Sequence, residues 1–491
     1  MFETAELGVK ITREEFDAAA EKLRLDLLAL QQKLREADFP VILLFAGVDG
    51  AGKTETVNLL NEWLDPHWIV TRAYEDPSRE ERERPSFWRY WRDLPKKGQI
   101  GLFLSGWYSR PLLDRVYRRI HQADFDYRLD HIAAFERLLA DDGALILKFW
   151  MHLDKKGQKK RLEALESDPL LSWKVAKKDW RNWKRYGKFI AAAEHLIRRT
   201  DFSHARWKIV DGSDDRFRSL TVLRTLHDAL KQHLADRKRR RPAKKPVIAP
   251  IKASVLSALD MTQALDKAEY ARQLQEASAE LAVLARQAHG RGISSVALFE
   301  GWDAAGKGGA IRHVASALDA RHRQIVSVAA PTDEEKAQHY LWRFWRHLPR
   351  AGHMLIYDRS WYGRVLVERV EGFARPDEWQ RAYAEINDFE DQLSHHGMVL
   401  TKFWLHITPE QQYKRFEQRD EVAYKKWKLT EEDWRNRSKW DSYKAAVHEM
   451  VERTSSQAAP WLLIEGNDKN FARVKIIRSL AERLRERLAR P

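Results

Sequence analysis

The sequence predicts an α/β protein built from two tandem copies of one domain, each a parallel sheet between helices. Three observations support this. Short apolar runs alternate with helical segments along both halves of the 491 residues. A glycine-rich loop follows an apolar run in each half, at 47–54 and at 301–307. Gly47 and Gly301 lie 254 positions apart, and this spacing recurs down the chain.

The repeat is strongest at rare residue types. The 254-residue spacing relates 88–89 to 342–343, 91–95 to 345–349, 107–108 to 361–362, 148–152 to 402–406, and 180–182 to 434–436. Repeats of this length are whole domains. We predict an N-terminal domain at 1–236, a basic, proline-containing linker at 237–252, and a C-terminal domain at 253–491. A nucleic-acid-binding tail is the alternative interpretation of the linker.

The elements of each copy follow from periodicity. Helical spacing of apolar residues covers 15–36 and 270–287. Apolar runs predict strands at 41–45, 295–299, 324–328, 353–357, 398–406 and 461–464. The charged region 409–458 is helical and has no strand signal. We predict that it forms a lid over the open edge of the site.

Composition limits the class of protein. The chain has 87 Lys and Arg residues against 72 Asp and Glu residues, a formal charge of +15, which favours a polyanionic partner. It has no cysteine, which excludes disulfides, thiolate metal sites and a cysteine nucleophile. The first residues lack a signal-peptide pattern, and no apolar run approaches membrane-spanning length. We therefore expect a cytoplasmic protein without membrane association.

The loop at 301–307 has the context of a phosphate cradle, because it joins a strand to a helix. We expect phosphate contacts from the loop and helix start, at Gly301, Ala305, Gly306 and Gly308. Lys307 would reach the terminal phosphates. Gly308 stands where Ser or Thr usually helps to hold Mg²⁺, so the nearby carboxylate at position 303 becomes a candidate metal ligand. A glycine-rich turn with a surface lysine is the structural alternative.

The strand at 354–358 ends in Asp358, the position at which P-loop proteins carry a second acid for Mg²⁺. A helix or turn cap is the alternative role. The first half has Leu104 at this position and cannot bind a metal there. We predict that the second copy is catalytic and that the first is a scaffold or a polyanion-binding copy. A working first site with another acid nearby is the contrary interpretation.

Several arginines are candidates for binding phosphate groups. Arg415 and Arg419 lie four residues apart on one lid helix and would contact the phosphate chain. Arg343 would pair with a phosphate of the acceptor nucleotide, or else form a structural ion pair. Arg364 and Arg369 are candidates for the same acceptor role, with a solvated surface as the alternative.

Each half resembles the second polyphosphate kinase family, the P-loop kind. The stretches that show this are 301–309, 340–343, 358–362, 402–407, 440–443 and 459–461. The resemblance covers nearly all of 257–491 and, more weakly, 15–230. It implies a thymidylate-kinase-like P-loop fold with a helical lid. It also implies phosphoryl transfer between inorganic polyphosphate and nucleotides with Mg²⁺, or Mn²⁺ as the alternative ion.

The same resemblance assigns roles. Asp303, Lys307 and Asp358 match the family's loop aspartate, loop lysine and second aspartate, and Arg359 matches the arginine beside it. Asp303 and Asp358 would hold the metal, and Gly308 after the lysine is usual in the family. The fused two-domain arrangement is similar to the subgroup that phosphorylates AMP to ADP in its C-terminal half.

The expected partners are therefore polyphosphate and AMP or ADP, with a homo-oligomer left open. One alternative is phosphorylation of nucleoside diphosphates by polyphosphate, or the reverse reaction. A second is an ATP-dependent nucleotide kinase. A third, from another class, is a basic nucleic-acid-binding P-loop protein. The sequence has no helix-turn-helix, finger or RNA-binding sheet motif, which counts against a nucleic-acid partner.

Overall fold

The computed structural model describes residues 1–239, 255–421 and 431–490. The chain divides into two compact units. The first comprises Met1–Ser78, Arg89–Arg241 and Asp333–His339, and the second Arg79–Trp88, Pro242–Thr332 and Tyr340–Pro491. Residues 240–252 of the predicted linker lie outside the described residues, as do 422–430 of the predicted lid.

The first unit contains a five-stranded parallel sheet. Its strands are β1 Val41–Gly47, β2 Ile69–Ala73, β3 Ile100–Leu104, β4 Leu145–His152 and β5 Trp207–Asp211, in the order β2-β3-β1-β4-β5. The helices of the first half of the sequence are α1 Arg13–Leu34, α2 Lys53–Trp63, α3 Arg79–Arg82, α4 Trp88–Arg92, α5 Ser109–Val116, α6 Gln122–Asp141, α7 Lys155–Ser167, α8 Lys177–Lys184, α9 Tyr186–Thr200 and α10 Asp215–Arg239.

The second unit repeats this sheet. Its strands are β6 Ser295–Gly301, β7 Arg323–Ser327, β8 Met354–Asp358, β9 Val399–His406 and β10 Trp461–Glu465, in the order β10-β9-β6-β8-β7. The helices of the second half are α11 Lys267–Gly290, α12 Lys307–Ser316, α13 Asp333–Lys336, α14 Trp342–Trp345, α15 Val367–Val370, α16 Pro376–His395, α17 Pro409–Glu421, α18 Glu431–Ser438, α19 Trp440–Thr454 and α20 Lys469–Ala489. The predicted α/β class, with two parallel sheets flanked by helices, is confirmed.

Local sequence signals account for the helix starts. Thr12 caps α1: its side chain accepts from the Glu15 backbone, and the Glu15 carboxylate accepts from the Thr12 backbone. Asp266 caps α11 by accepting two backbone N–H groups. Neither cap depends on distant contacts. Within the part of the chain that is described, no helix has both the length and the apolar character needed to cross a bilayer.

Strand order places the candidate site. The central strand β6 pairs with β8 on one side and with β9 on the other. In this register Phe299 lies opposite Asp358. Because parallel strands end at the same edge of a sheet, the glycine loop after β6 and the carboxylate at the end of β8 emerge side by side.

A buried lysine joins three elements behind this edge. The Lys402 ammonium donates to the Glu390 carboxylate at 2.6 Å, to the Tyr362 hydroxyl at 3.0 Å and to the Thr454 carbonyl at 2.6 Å. Lys148 makes the matching set of contacts in the first unit. A buried ammonium is tolerated only when it is paired and hydrogen-bonded. The repeat of this lysine in the sequence therefore reflects the shared fold of the two units and not a catalytic role.

Candidate active site

The loop between β6 and α12 depends on glycine at two positions. Gly306 starts α12 in the left-handed region, with φ of 109°. Gly301 has φ of 151°, and a Cβ there would lie 2.5 Å from the Leu405 carbonyl oxygen. A side chain at either position would strain the turn. Gly308 is the second residue of α12, and Ala305 is buried within the loop.

Lys307 is the cation of this loop. Its Nζ donates to the Gly301 carbonyl at 2.7 Å and to the Trp302 carbonyl at 3.2 Å. Burial lowers the pKa of Lys307, and the nearby Asp303 carboxylate opposes that shift. The ammonium is thus held at the loop by neutral carbonyls that an anionic phosphate could replace.

Asp303 is oriented by the lid. Its Oδ2 accepts from the Asn436 Nδ2 at 2.8 Å, and its backbone carbonyl accepts from the Gln412 side chain at 3.1 Å. The Arg359 guanidinium lies 3.7 Å from its Oδ1. These contacts leave lone pairs on both carboxylate oxygens for a further ligand.

Asp358 ends β8 with a half-buried side chain. Among the described residues its carboxylate makes no hydrogen bond or ion pair. Described residues also contain no group of three or more His, Cys, Asp or Glu side chains that could hold a metal. Two carboxylates suit Mg²⁺, which keeps most of its waters and completes its shell with phosphate oxygens. Asp303 and Asp358 are the side chains that would hold such an ion.

Arg359 has a strained backbone. It follows Asp358 with φ of 63°, a left-handed conformation that is uncommon for residues other than glycine. Its guanidinium is about half exposed and faces Asp303. Non-glycine residues in this region cluster at functional sites. The turn aims a cation at the edge where the loop and Asp358 meet.

Glu300 is a site residue that the sequence analysis missed. It is buried directly before the loop and accepts from the Ser360 Oγ at 2.8 Å. Burial raises the pKa of Glu300 to about 7, and the Ser360 hydrogen bond and Lys307 limit the rise. A charged residue at the end of an apolar strand was the available signal. The sequence analysis also missed Asn436 as the hydrogen-bond donor to Asp303, although residues 434–436 belong to the sequence repeat.

Arg415 lies behind the loop, not over it. It is buried, and its guanidinium donates to four backbone carbonyls, those of Ala304, Ala305, Gly466 and Asn467, at 2.6–3.1 Å. Burial, followed by the charge of Arg419, lowers the pKa of Arg415 to about 10. This geometry braces the loop. Arg419 is half-buried and makes no hydrogen bond or ion pair with the described residues, so its phosphate-binding role stays a prediction.

The three acceptor candidates differ in their surroundings. Arg343 donates to the Ala329 carbonyl at 3.1 Å. Arg364 pairs with Glu368 at 3.1 Å and stacks on an aromatic ring. Arg369 is buried, 2.6 Å from a glutamate. Arg364 and Arg369 therefore contact other side chains, which contradicts the alternative that they lie on a solvated surface. The acceptor role of all three stays a prediction.

A cavity of about 70 Å³ lies at this edge of the second sheet. Its lining includes Glu300, Asp303, Lys307, Arg359 and Asn436. The Trp302 indole, also part of the lining, stacks on the Trp440 indole of the lid with ring centroids 3.7 Å apart. The loop, the strand-end turn and the lid thus converge on one pocket, in which Lys307 and Arg359 are the cations that a phosphate group could contact.

Comparison with known proteins shows the family of the chain. The pattern of the family described as Polyphosphate kinase 2 matches residues 10–238 and 264–490. A polyphosphate:AMP phosphotransferase of Pseudomonas aeruginosa is 51% identical over 484 residues, which cover 98% of each chain. A polyphosphate:AMP phosphotransferase of Pseudomonas syringae pv. tomato is 47% identical and covers 100% of this chain and 99% of its own.

A solved structure is also similar over the full length. A crystal structure assigned to polyphosphate kinase 2 of Pseudomonas aeruginosa PA01 superposes with a TM-score of 0.91 at 48% identity, and covers 100% of both chains. The family pattern occurs twice and spans most of the chain. The protein therefore belongs to the polyphosphate kinase 2 family.

Proposed function

We propose that this enzyme transfers the terminal phosphoryl group of inorganic polyphosphate to AMP and forms ADP. The observation that carries the proposal is the full-length likeness to two polyphosphate:AMP phosphotransferases that share its tandem arrangement. Relatives that match less than half of this chain are named for ADP, GDP or NDP acceptors. The fused arrangement therefore favours the monophosphate acceptor.

We place the transfer in the second copy. An oxygen of the AMP phosphate attacks the terminal phosphorus of the chain, the bridging P–O bond breaks, and the shortened chain leaves with the bonding electrons. The attacking phosphate is already anionic, so no protein nucleophile or base is needed. Positioning and charge neutralisation supply most of the rate enhancement in such reactions.

Each residue of the pocket has a separate role in this reaction. Lys307 exchanges its loop carbonyls for oxygens of the transferred group, and Arg359 neutralises charge that develops on the bridging oxygen. Asp303 and Asp358 would hold Mg²⁺, or Mn²⁺ as the alternative, and the ion would supply Lewis-acid stabilisation of the phosphate oxygens. Arg415 keeps the loop in shape behind them.

A product assay tests the proposal. The purified enzyme is supplied with Mg²⁺, with polyphosphate or ATP as donor, and with AMP, ADP, GMP or GDP as acceptor. We expect ADP from AMP and polyphosphate as the fastest reaction. Faster product formation with the diphosphates would favour the nucleoside diphosphate alternative. Turnover with ATP but not with polyphosphate would favour an ordinary nucleotide kinase.

A further inference from the structure

The first copy keeps a complete phosphate loop. Lys53 Nζ donates to the Gly47 carbonyl at 3.1 Å and to the Val48 carbonyl at 2.7 Å, the same pair of contacts that Lys307 makes. Asp49 accepts from the Asn182 side chain at 2.9 Å, as Asp303 does from its own lid asparagine. Burial lowers the pKa of Lys53, and Asp49 opposes that shift. The cradle is therefore preserved in detail.

A separate arginine packs against this loop, with its guanidinium beside Gly52. Position 161, which corresponds to Arg415, carries an arginine that lies 3.8 Å from Glu55 near the surface. Arg218 of α10 replaces it: this residue is buried and donates to Thr56 at 3.2 Å and to the Gly212 carbonyl at 3.4 Å. An arginine thus lies beside the loop in both units, although it comes from different positions of the sequence.

The groups needed for transfer are missing from the same pocket. Ala46, Leu104 and Gly106 stand where the second copy has Glu300, Asp358 and Ser360. The turn nevertheless keeps its shape, because Ser105 has φ of 55°. Of the two positions expected to hold Mg²⁺, only Asp49 keeps a carboxylate, so the pair of acids proposed for the second copy is absent here.

The cavity beside this loop is larger than the one in the second unit, about 130 Å³ against about 70 Å³. Lys53 lines its deep end, and Arg89, Arg110 and Lys178 line its wall. Three acids also line it: Asp49, Glu75 and Asp76. Asp76 is mostly exposed and paired with Arg110.

A nearby cluster adds positive charge. The Asp114 carboxylate is buried and meets three guanidinium groups, those of Arg110, Arg119 and Arg128, at 2.9–3.3 Å. Because Arg110 also pairs with Asp76, two carboxylates face three guanidinium groups. Positions 373 and 382, which correspond to 119 and 128, are Phe and Ala in the second copy. Of the three arginines, Arg110 also lines the cavity beside Lys53, so this cluster lies next to one side of that cavity.

We propose that the first copy is a binding site for the end of a condensed phosphate chain, which it holds without a divalent cation and without transferring it. Loop amides, the start of α2 and Lys53 bind one phosphate group. Arg89, Arg110 and Lys178, which line the same cavity, bind the phosphate groups that follow in the chain. This proposal concerns binding alone and rests on the proposed polyphosphate substrate. Its test does not depend on whether the second copy performs the transfer.

The experiment uses the full chain with the double substitution Lys307→Ala and Asp358→Ala, which disables the second site. Binding of tripolyphosphate is measured by calorimetry in EDTA. We expect one site per chain. Adding Lys53→Ala is expected to weaken it about tenfold or more, since a charged hydrogen-bond donor is lost. Lys178→Ala, an exposed change that does not threaten folding, is expected to weaken it a few-fold.

Lys33→Ala, an exposed lysine of α1, is the matched control and should leave binding unchanged. The proposal is overturned if the double variant binds no tripolyphosphate in EDTA, or if neither Lys53→Ala nor Lys178→Ala weakens binding. It is also overturned if ADP binds more tightly than tripolyphosphate in a Lys53-dependent manner, because the site would then select a nucleotide.

Discussion

The two glycine loops of this chain have the same internal hydrogen bonds but different supports. In the second unit Arg415 reaches the loop and the Gly466 carbonyl from the lid helix α17. In the first unit Arg218 reaches the corresponding Gly212 carbonyl from α10. Two unrelated positions thus provide an arginine that donates to the carbonyl of the matching glycine, and Arg415 also donates to the loop itself. The shape of the loop has been kept while the side chains that stabilise it have changed.

The same comparison separates binding from chemistry. Both loops have the lysine, the aspartate and the lid asparagine. Glu300, Asp358 and Ser360 of the second unit are replaced in the first by Ala46, Leu104 and Gly106. The proposed phosphate cradle is therefore present in both units, whereas these acids and this serine of the proposed transfer site are present in the second unit alone.

Loss of the strand-end acid should have the largest effect. We expect Asp358→Ala to lower the rate of ADP formation about 10³-fold, because a side chain proposed to hold Mg²⁺ is removed. Leu104→Ala, at the matching position of the first copy, should change the rate less than about twofold. Steady-state assays at saturating polyphosphate and AMP measure both. Comparable losses in the two variants would show that both copies take part in transfer.

Removal of the loop brace should have the next largest effect. Arg415→Ala leaves four buried carbonyls without their donor, so we expect the free energy of unfolding to fall by about 3 kcal/mol. Arg161→Ala changes the matching but more exposed arginine and should cost less than about 0.5 kcal/mol. Urea denaturation followed by circular dichroism measures the difference. Equal costs would contradict the role of Arg415 as a brace.

A smaller effect should appear at acidic pH. His406 Nδ1 accepts from the Trp302 indole at 2.9 Å. Burial, and then Lys444, lower the pKa of His406 to about 4. The unfolded chain binds this proton near pH 6.5 and the folded chain does not, so stability falls as pH drops from 6.5 towards 4. The contribution of His406 reaches about 3 kcal/mol at the acidic end.

The variant His406→Asn should reduce this acid sensitivity, because the Asn oxygen can accept from Trp302 without titrating. Melting temperatures between pH 7 and pH 4.5 provide the measurement. His67→Asn, at an exposed histidine of the first unit, controls for the loss of an imidazole. A parallel decline in the wild type and in His406→Asn would remove His406 as the cause.

The sequence predicted the elements whose signals are local. The loop at 301–307 and Asp358 at the end of β8 lie where their spacing placed them, on neighbouring strands of one sheet. Other features depend on contacts between distant residues. Arg218 lies 162 positions from Thr56, and Arg369 lies 80 from its partner Glu449. No spacing rule signals such pairs. The phosphate-binding role expected of Arg415 rested on the cationic character of the lid and on its spacing from Arg419, and it stays a prediction.

The central claim is that the second copy performs the transfer from polyphosphate to AMP. Its most direct test is ADP formation from AMP and polyphosphate by Lys307→Ala and by Lys53→Ala, measured side by side with Mg²⁺. We predict that Lys307→Ala loses nearly all turnover and that Lys53→Ala keeps a substantial fraction of the wild-type maximal rate. Abolished turnover in Lys53→Ala together with wild-type turnover in Lys307→Ala would contradict the account.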